Sequence, residues 1–597
     1  MALKFLENAL NEEQLKIALN LDKNTLVIAG PGSGKTRLLV YKIAYQIFST
    51  RNSNSKILCL TFTNEAAKEL KNRLSNLLPS NLRERLWIGT FHHFGHDLLR
   101  YYAHLLGISR DSEIIDEDGV IDILKETLSE MKVNVDENKL KSLARNISLY
   151  RGKVNMPDPS ELSGISAKIG EIMTQYAATK RMMKVFDFDD LIELPLNLIH
   201  TNRHIKNLLA DTFRYIFIDE LQDTSLLQLE LLKEIVDHQK CIVFGVADQD
   251  QILYEWRDAR VQTIREFWES FQAKVDYLFL NHRSPPRIVN LINALIVNNH
   301  DRFDKELMSA LINEEGYVFH HKALTPEKEA EFVASHIMSE VQSCGRDFRD
   351  FAILFRVNWS MREIKIALTD MNIPFCVIGD KSLKDSPLAK IIKASISIIS
   401  GQPYSKAKFI KSFQNFSQNN NIKVNAIEGI IEGIEALKNV QVSEIFANLL
   451  RITAIDTLNA NSNFQDDLSK IREILGLAIS EGVCSAEDLS TVLNMEWNRL
   501  QDQILKSENA VRIMTIHQSK GLEFPVVYIM RLQDGILPYK RNGEIVNLEE
   551  ERRTLFVALS RAKSKIVMTH SEFDQSGHYT YPSRFFEEMK AVNIEEI

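Results

Sequence analysis

Eight residues, AGPGSGKT at positions 29–36, constrain this chain more than any other segment. They follow the apolar run TLVI and precede a long helical pattern. Small residues at such a strand–loop–helix junction let successive backbone N–H groups curl around phosphate oxygens. At this spacing Lys35 is expected to reach the β- and γ-phosphates and the Thr36 hydroxyl to ligate Mg2+. Ala29, Gly30, Pro31, Gly32, Ser33 and Gly34 form the cradle, with Ala29 standing where a first glycine is usual.

The rest of the chain has the rhythm that such a loop requires. Short apolar runs at 25–29, 56–61, 215–219 and 241–247 alternate with helical stretches. A second group follows at 277–280, 317–320, 351–355, 511–516, 526–530 and 565–569. Alternation of this kind implies α/β architecture with parallel sheets and ligands at the carboxyl ends of the strands. Two sheets are expected. Two mostly helical stretches, about 92–211 and 382–507, exceed any ordinary loop and read as inserted subdomains. The second contains QNFSQNNNIKVN at 414–425, which reads as a solvated loop.

Composition narrows the function classes. With 597 residues, a charged fraction of 25% and a net charge of −8, the chain is neither disordered nor coated with positive charge. The five cysteines form no CxxC pair and read as buried free thiols. No run of about 18 uncharged apolar residues occurs, so no membrane span is expected and a reducing, cytoplasmic setting follows. Charge is uneven, however. Residues 110–137 hold three basic and ten acidic residues, whereas 139–184 hold nine basic and three acidic. The acidic block is expected to face solvent. The basic block is either a solvated face or part of a nucleic-acid track, with Arg145, Arg151 and Lys153 as its test positions.

A phosphate loop needs an acidic partner. IFIDELQDTS at 216–225 supplies one at a strand end, with Asp219 placed for the Mg2+ shell and Glu220 for activating water. Phosphoryl transfer also calls for positive charge at the leaving group, for which Arg283 in NHRS and Arg561 in VALSRAK are candidates.

Taken in order, the motifs resemble those of superfamily 1 helicases of the UvrD/Rep type. They are LNEEQ (10–14), AGPGSGKT (29–36), TFTNEAAKEL (61–70), GTFHHF (89–94), DFDDL (187–191), IDELQDTSLLQ (218–228), DQDQILYEWRDA (248–259), NHRS (281–284), AILFRVN (352–358), TIHQSKGLEFPVV (515–527) and EEERRTLFVALSRAK (549–563). The resemblance implies two RecA-like domains, each with a helical insertion. The first would comprise 1–91 and 212–280 with insertion 92–211. The second would comprise 281–381 and 508–597 with a shortened insertion 382–507.

By the same resemblance, ATP and Mg2+ would be the cofactors. Gln14 would read the adenine edge, Arg37 would lie near the base and Glu523 would meet the ribose. Gln251 would sense the γ-phosphate, and Arg283 and Arg561 would be arginine fingers. His282 stands where the family commonly has a tyrosine that stacks on adenine. DNA contacts would come from Phe62, Thr63, Phe91, His92, Phe188, Tyr254, Trp256, Arg257, Arg356, Asn358 and His517. The implied activity is ATP-driven 3′-to-5′ translocation on single-stranded DNA and unwinding of tailed duplexes, as in DNA repair. The alternative is a motor subunit serving a nuclease or other effector, as in antiviral defence, suggested by the shortened second insertion and the lack of a long C-terminal tail.

Overall fold

The computed structural model describes residues 2–50, 55–110, 112–133, 136–151, 168–253, 261–379, 382–401, 404–419, 427–455, 462–507, 509–541 and 543–597. The chain divides into two compact units. The first unit comprises Met1–Phe91, Ile199–Ile378 and Glu508–Ile597 and holds both large sheets. The second comprises His92–Leu198 and Gly379–Ser507, the two helical stretches together.

In the first unit, strands β1 (Thr25–Ala29), β2 (Lys56–Thr61) and β3 (Leu86–Thr90) precede the first helical stretch, which contains the short pair β4 (Glu113–Ile114) and β5 (Val185–Phe186). The chain returns as β6 (Phe213–Ile218), β7 (Ile242–Ala247) and β8 (Lys274–Leu278). These build a six-stranded sheet in the order β3-β2-β6-β7-β1-β8, parallel throughout. Every residue of β1 is buried, as expected of an interior parallel strand paired on both sides. Residues 277–280, grouped above with the second set of strands, close the first sheet instead: β8 pairs with β1, Ile28 opposite Tyr277.

Next come β9 (Leu280–Asn281) and β10 (Met308–Ser309), which pair with each other. The second sheet follows from β11 (Tyr317–Ala323), β12 (Phe351–Phe355), β13 (Phe375–Val377), β14 (Val511–Thr515), β15 (Phe524–Ile529), β16 (Ala562–Ser571) and β17 (Glu595–Glu596). Its order is β13-β14-β12-β15-β16-β11-β17, again parallel. Strands β3 and β13 lack a clean apolar run. Leu86–Thr90 includes a tryptophan and a glycine, and β13 has three residues, so tertiary pairing rather than local pattern defines them.

The second unit departs most from expectation. The acidic stretch does not simply face solvent. Asp116 lies 3.4 Å from Lys393 and 3.1 Å from Lys408. Asp118 lies 3.9 Å from Lys390 and Asp122 lies 3.4 Å from Lys411. Acids of one insertion thus meet lysines of the other: Asp116 is largely withdrawn from water, whereas Asp118, Glu117, Glu126 and Glu130 stay exposed as expected, as does Lys411.

Arg151 is likewise no surface cation. Its side chain is 9% exposed and reaches Asp187 at 2.9 Å, Asp190 at 2.6 Å and Glu193 at 2.7 Å. Residues 414–419, expected in a loop, continue the helix Tyr404–Asn419. Its apolar residues Phe409, Phe413 and Phe416 recur at helical spacing and are buried. Cys344 and Cys484 are exposed, and the other three cysteines are buried as expected. Among the described residues no helix is long and apolar enough to cross a membrane.

Candidate nucleotide site

Strand β1 ends at Ala29, and the phosphate loop turns into the helix Lys35–Ser49. The loop is held from several directions. The Ser33 hydroxyl donates to the Gly30 carbonyl (2.8 Å), and the Gln14 amide donates to the Ser33 carbonyl (3.0 Å). The Asn281 amide donates to the Pro31 carbonyl (2.8 Å), and the His282 backbone N–H to the Gly32 carbonyl (2.8 Å). Gly32 and Gly34 sit at φ +67° and +78°, which side chains rarely adopt. A Cβ on Gly32 would come 2.8 Å from the Arg283 Cβ, and one on Gly34 would come 2.6 Å from the Gln14 amide nitrogen. Conformation therefore demands both glycines, and at Gly32 the close approach of Arg283 demands it as well.

Gln14 is placed by its own helix, Glu12–Leu19, through a capping box with Asn11. His282 is exposed at the same end of the loop, with its Nε2 3.3 Å from the Asn11 amide. Arg37 is exposed and close enough to lower the His282 pKa, after burial, which is the larger cause.

The acidic pair follows β6. The Asp219 N–H donates to the Leu60 carbonyl on β2 (2.9 Å), which fixes the strand end. Glu220 takes φ +49°, a left-handed conformation costing about 1–2 kcal/mol in a non-glycine residue. Its carboxylate accepts a hydrogen bond from the Gln222 amide. Burial alone would raise the Glu220 pKa, but Lys35 and Lys520 outweigh it and hold the carboxyl below its ordinary value. Asp219 is pushed up to about 7 by burial and then by the Glu220 charge. A cation in front of the pair would relieve that repulsion. A carboxylate and a hydroxyl, Asp219 and Thr36, make the sparse oxygen set that suits Mg2+, which takes few protein ligands and completes its shell with phosphate and water.

The third element is the turn Gln249–Gln251 after β7. The Gln251 amide donates to Asp248 Oδ2 (2.7 Å), and its carbonyl oxygen accepts from Arg561 Nη2 (3.1 Å). Asp248 is also 3.5 Å from the Lys35 ammonium. Arg561 is 2% exposed, its other N–H groups donating to the Val557 (3.1 Å) and Leu522 (3.3 Å) carbonyls. Burial and the neighbouring Arg283 push its pKa down to about 9. Arg283 donates to Glu523 (2.8 Å) and to the Ser560 carbonyl (2.8 Å). Glu523 also pairs with Lys563 at 2.7 Å.

The first unit thus brings together Gln14, the phosphate loop, Asp219, Glu220, Gln251, Arg283 and Arg561. Sequence reasoning passed over three residues that hold this set. Asn281 ties Arg283 to the phosphate loop, and both residues lie in the NHRS motif. Asp248 opens the DQDQ motif and orients Gln251. Lys520 joins Asp223 (2.5 Å) to the Gln251 carbonyl (3.0 Å). Its only sequence signal was a place in TIHQSKGLE.

The DNA candidates divide differently. Phe91 is 4% exposed and belongs to the core, because the chain enters a helix there directly from β3; its side chain offers no stacking surface. The Thr63 hydroxyl caps the helix Asn64–Leu77 by accepting from the Ala66 N–H (3.1 Å). Phe62 is half-buried. In the second unit, His92 and Phe188 meet edge to face with ring centres 5.9 Å apart. Arg356 is paired with Glu551 (2.6 Å) and lies over the Tyr539 ring. His517 is pushed down to about 4 by burial and then by Arg356 and Lys520, so it is neutral at physiological pH. Asn358 is exposed, and so is its neighbour Trp359, which the motif reading missed. Tyr254, Trp256, Arg257 and Lys153 lie outside the described residues.

Comparison with known proteins agrees with this geometry. Residues 10–272 match the UvrD/REP helicase N-terminal domain, and residues 277–400 and 388–572 match the UvrD-like helicase C-terminal domain. The ATP-dependent DNA helicase PcrA of Staphylococcus aureus is 29% identical over 643 residues, covering 98% of this chain and 87% of the relative. That of Staphylococcus epidermidis is 28% identical over 639 residues, covering 97% and 86%. With a phosphate loop, an acidic pair and two arginines drawn from two parallel sheets, and with both halves matched in order, the chain belongs to the UvrD/Rep-type family of superfamily 1 helicases.

Proposed function

We propose that this protein is an ATP-driven motor that moves 3′ to 5′ along single-stranded DNA and separates tailed duplexes. The observation that carries the reading is the 3.1 Å hydrogen bond from Arg561 to Gln251, which joins an arginine at the foot of β16 in the second sheet to the turn beside Lys35 and Glu220. Lys35 and the backbone N–H groups of residues 32–36 would hold the phosphates, and Gln14 and His282 the base. Glu220, kept ionised by Lys35 and Lys520, would accept the proton of the attacking water. Arg283 and Arg561 would neutralise charge on the departing phosphates. Thr36 and Asp219 would hold Mg2+, which supplies Lewis-acid polarisation of the phosphate oxygens when bound.

Because ligands of one nucleotide come from both sheets, hydrolysis removes the bridge between them. Closing and opening of this kind can advance a strand held on both domains. Asn358, Trp359 and Phe62 supply exposed or half-buried polar and aromatic groups for such a hold.

ATPase and strand displacement on duplexes with a 3′ or a 5′ tail test the proposal together. Turnover stimulated by single-stranded DNA and unwinding only from the 3′ tail are expected, with turnover lost in Lys35→Ala and Glu220→Gln. Undiminished turnover in Glu220→Gln would remove its assigned role, and unwinding from the 5′ tail would reverse the polarity. Turnover without unwinding of either duplex would favour a motor that works for a separate effector protein.

A further inference from the structure

Residues 302–307 match none of the helicase motifs, yet they grip two of them. The Lys305 side chain is 1% exposed. Its ammonium donates to the Ala29 carbonyl at the entry to the phosphate loop (3.1 Å). The same ammonium pairs with Asp248 and, at 3.0 Å, with Asp250. Arg302 makes a forked pair with Asp250, Nε to Oδ1 at 3.1 Å and Nη2 to Oδ2 at 2.9 Å. Between these two, Phe303 and Gln249 clasp each other: the Phe303 N–H donates to the Gln249 amide oxygen (2.7 Å), and the Gln249 amide N–H donates to the Phe303 carbonyl (2.6 Å). Leu307 packs on Gly30 so closely that a Cβ there would fall 2.2 Å from its Cδ2.

Asp248, Gln249 and Asp250, the three residues before Gln251, are therefore all held by this one segment. It also holds Ala29 and Gly30, where the phosphate loop begins. A continuous chain of polar contacts runs from Lys305 to Asp248, from Asp248 to the Gln251 amide, and from the Gln251 oxygen to Arg561. The charges fit the same scheme. Asp248 is fully buried and flanked by two ammonium groups, Lys305 and Lys35. Burial would lower the Lys305 pKa, but Asp248 and Asp250 outweigh it and keep the ammonium charged. Removing one member of such a buried set leaves a charge without compensation and lets its partners move.

We propose that Lys305, steadied by Arg302, is a positioning residue for ATP hydrolysis, setting the register between the phosphate loop and the Gln251 turn and so aiming Gln251 and Arg561 at the reacting phosphate. This rests on the nucleotide site described under the proposed function. Lys305 touches no reacting atom; its effect is geometric. A misplacement of about 1 Å at a reacting centre can cost on the order of a hundredfold in rate. The loss should fall on kcat, because the contacts that aim Arg561 matter most in the transition state, whereas Gln14 and the loop backbone continue to bind ATP.

The test is steady-state ATPase of the full chain with saturating single-stranded DNA, for the parent, Lys305→Met, Arg302→Gln and Lys35→Ala, with folding followed by thermal unfolding. Lys305→Met is expected to lower kcat by roughly 10- to 100-fold while the KM for ATP changes by less than about threefold. A folded Lys305→Met with kcat within about twofold of the parent overturns the proposal, as does a loss that merely tracks the folded fraction. If Lys305→Met does not fold, Arg302→Gln decides, since it removes the pair with Asp250 and the hydrogen bond to the Lys305 carbonyl (3.2 Å) but leaves the Lys305 ammonium in place. A fall in kcat of about 3- to 10-fold at unchanged KM is then expected, and parental kcat overturns the proposal. Lys35→Ala separates the two readings. Parental turnover there means the nucleotide site itself is misassigned, whereas an inert Lys35→Ala beside a parental Lys305→Met condemns only the positioning role.

Discussion

Reversing the charge at Arg151 separates two accounts of the basic stretch. As part of a nucleic-acid track, Arg151→Glu would leave the fold intact, weaken DNA binding and flatten its salt dependence by about 0.7 in slope per lost contact with a single strand. The structure predicts something else. The Arg151 guanidinium is 9% exposed and lies within 2.9 Å of Asp187, Asp190 and Glu193, with Asp189 at 3.9 Å. Asp187 and Asp190 are shared with Lys180, and Asp187 also accepts from the Tyr176 hydroxyl at 3.0 Å. Removing the arginine from such a buried set costs about 3–5 kcal/mol, and replacing it with a further carboxylate costs more. At roughly 2–4 °C per kcal/mol for a unit of this size, the second unit should melt about 6–20 °C lower. Scanning calorimetry of the parent, Arg151→Met and Arg151→Glu measures this, with Arg145→Glu as an exposed control expected to melt like the parent. An Arg151→Glu protein that melts with the parent but binds DNA with a reduced salt slope would refute the reasoning and restore the track.

Three further outcomes follow from the geometry. Glu113 is buried beside the Ser405 hydroxyl (3.1 Å) and pushed up to about 7 by burial, so its neutral form stabilises the second unit at low pH and that stability is lost as pH rises from about 4.5 through 7. Glu113→Gln should then gain about 2–3 kcal/mol over the parent in urea melts at pH 8 and almost nothing at pH 4; an equal gap at both would show that ionisation is not the cause. His282→Tyr should lower the KM for ATP about 2- to 10-fold by adding stacking surface on the base, worth about 0.5–1.5 kcal/mol, and an unchanged KM would place the base elsewhere. Gly32→Ala forces a Cβ to within 2.8 Å of the Arg283 Cβ at φ +67°; DNA-stimulated turnover should fall at least about 100-fold, whereas near-parental turnover would show that the loop and Arg283 can separate without loss.

Much of the nucleotide site was legible in the sequence. The phosphate loop and Asp219 with Glu220 sit in short motifs whose residue types follow from the chemistry of phosphate, and Gln251, Arg283 and Arg561 were singled out by the family motifs around them. The long apolar strands were legible for a related reason, since burial on both faces writes an unbroken apolar run. Strands β3 and β13 were not, because their neighbours in the sheet rather than their own pattern hold them.

The sequence by itself thus determined the fold class and named the residues that the fold gathers around the phosphate loop, because backbone geometry and phosphate contacts depend on residues a few positions apart. Only the tertiary structure decided which charges find partners. Lys305 reaches Asp248 across 57 positions, Asp116 reaches Lys408 across 292, and Arg561 reaches Gln251 across 310. In the sequence the acidic block read as hydrated surface, the basic block read as a solvated face or a nucleic-acid track, and Lys305 carried no signal. Folding withdraws Asp116, Arg151 and Lys305 from water, and a charge out of water is stable only beside its opposite. That requirement made Arg151 a structural hub, bound the acidic block to the lysines of the second insertion, and drew Lys305 beneath the phosphate loop.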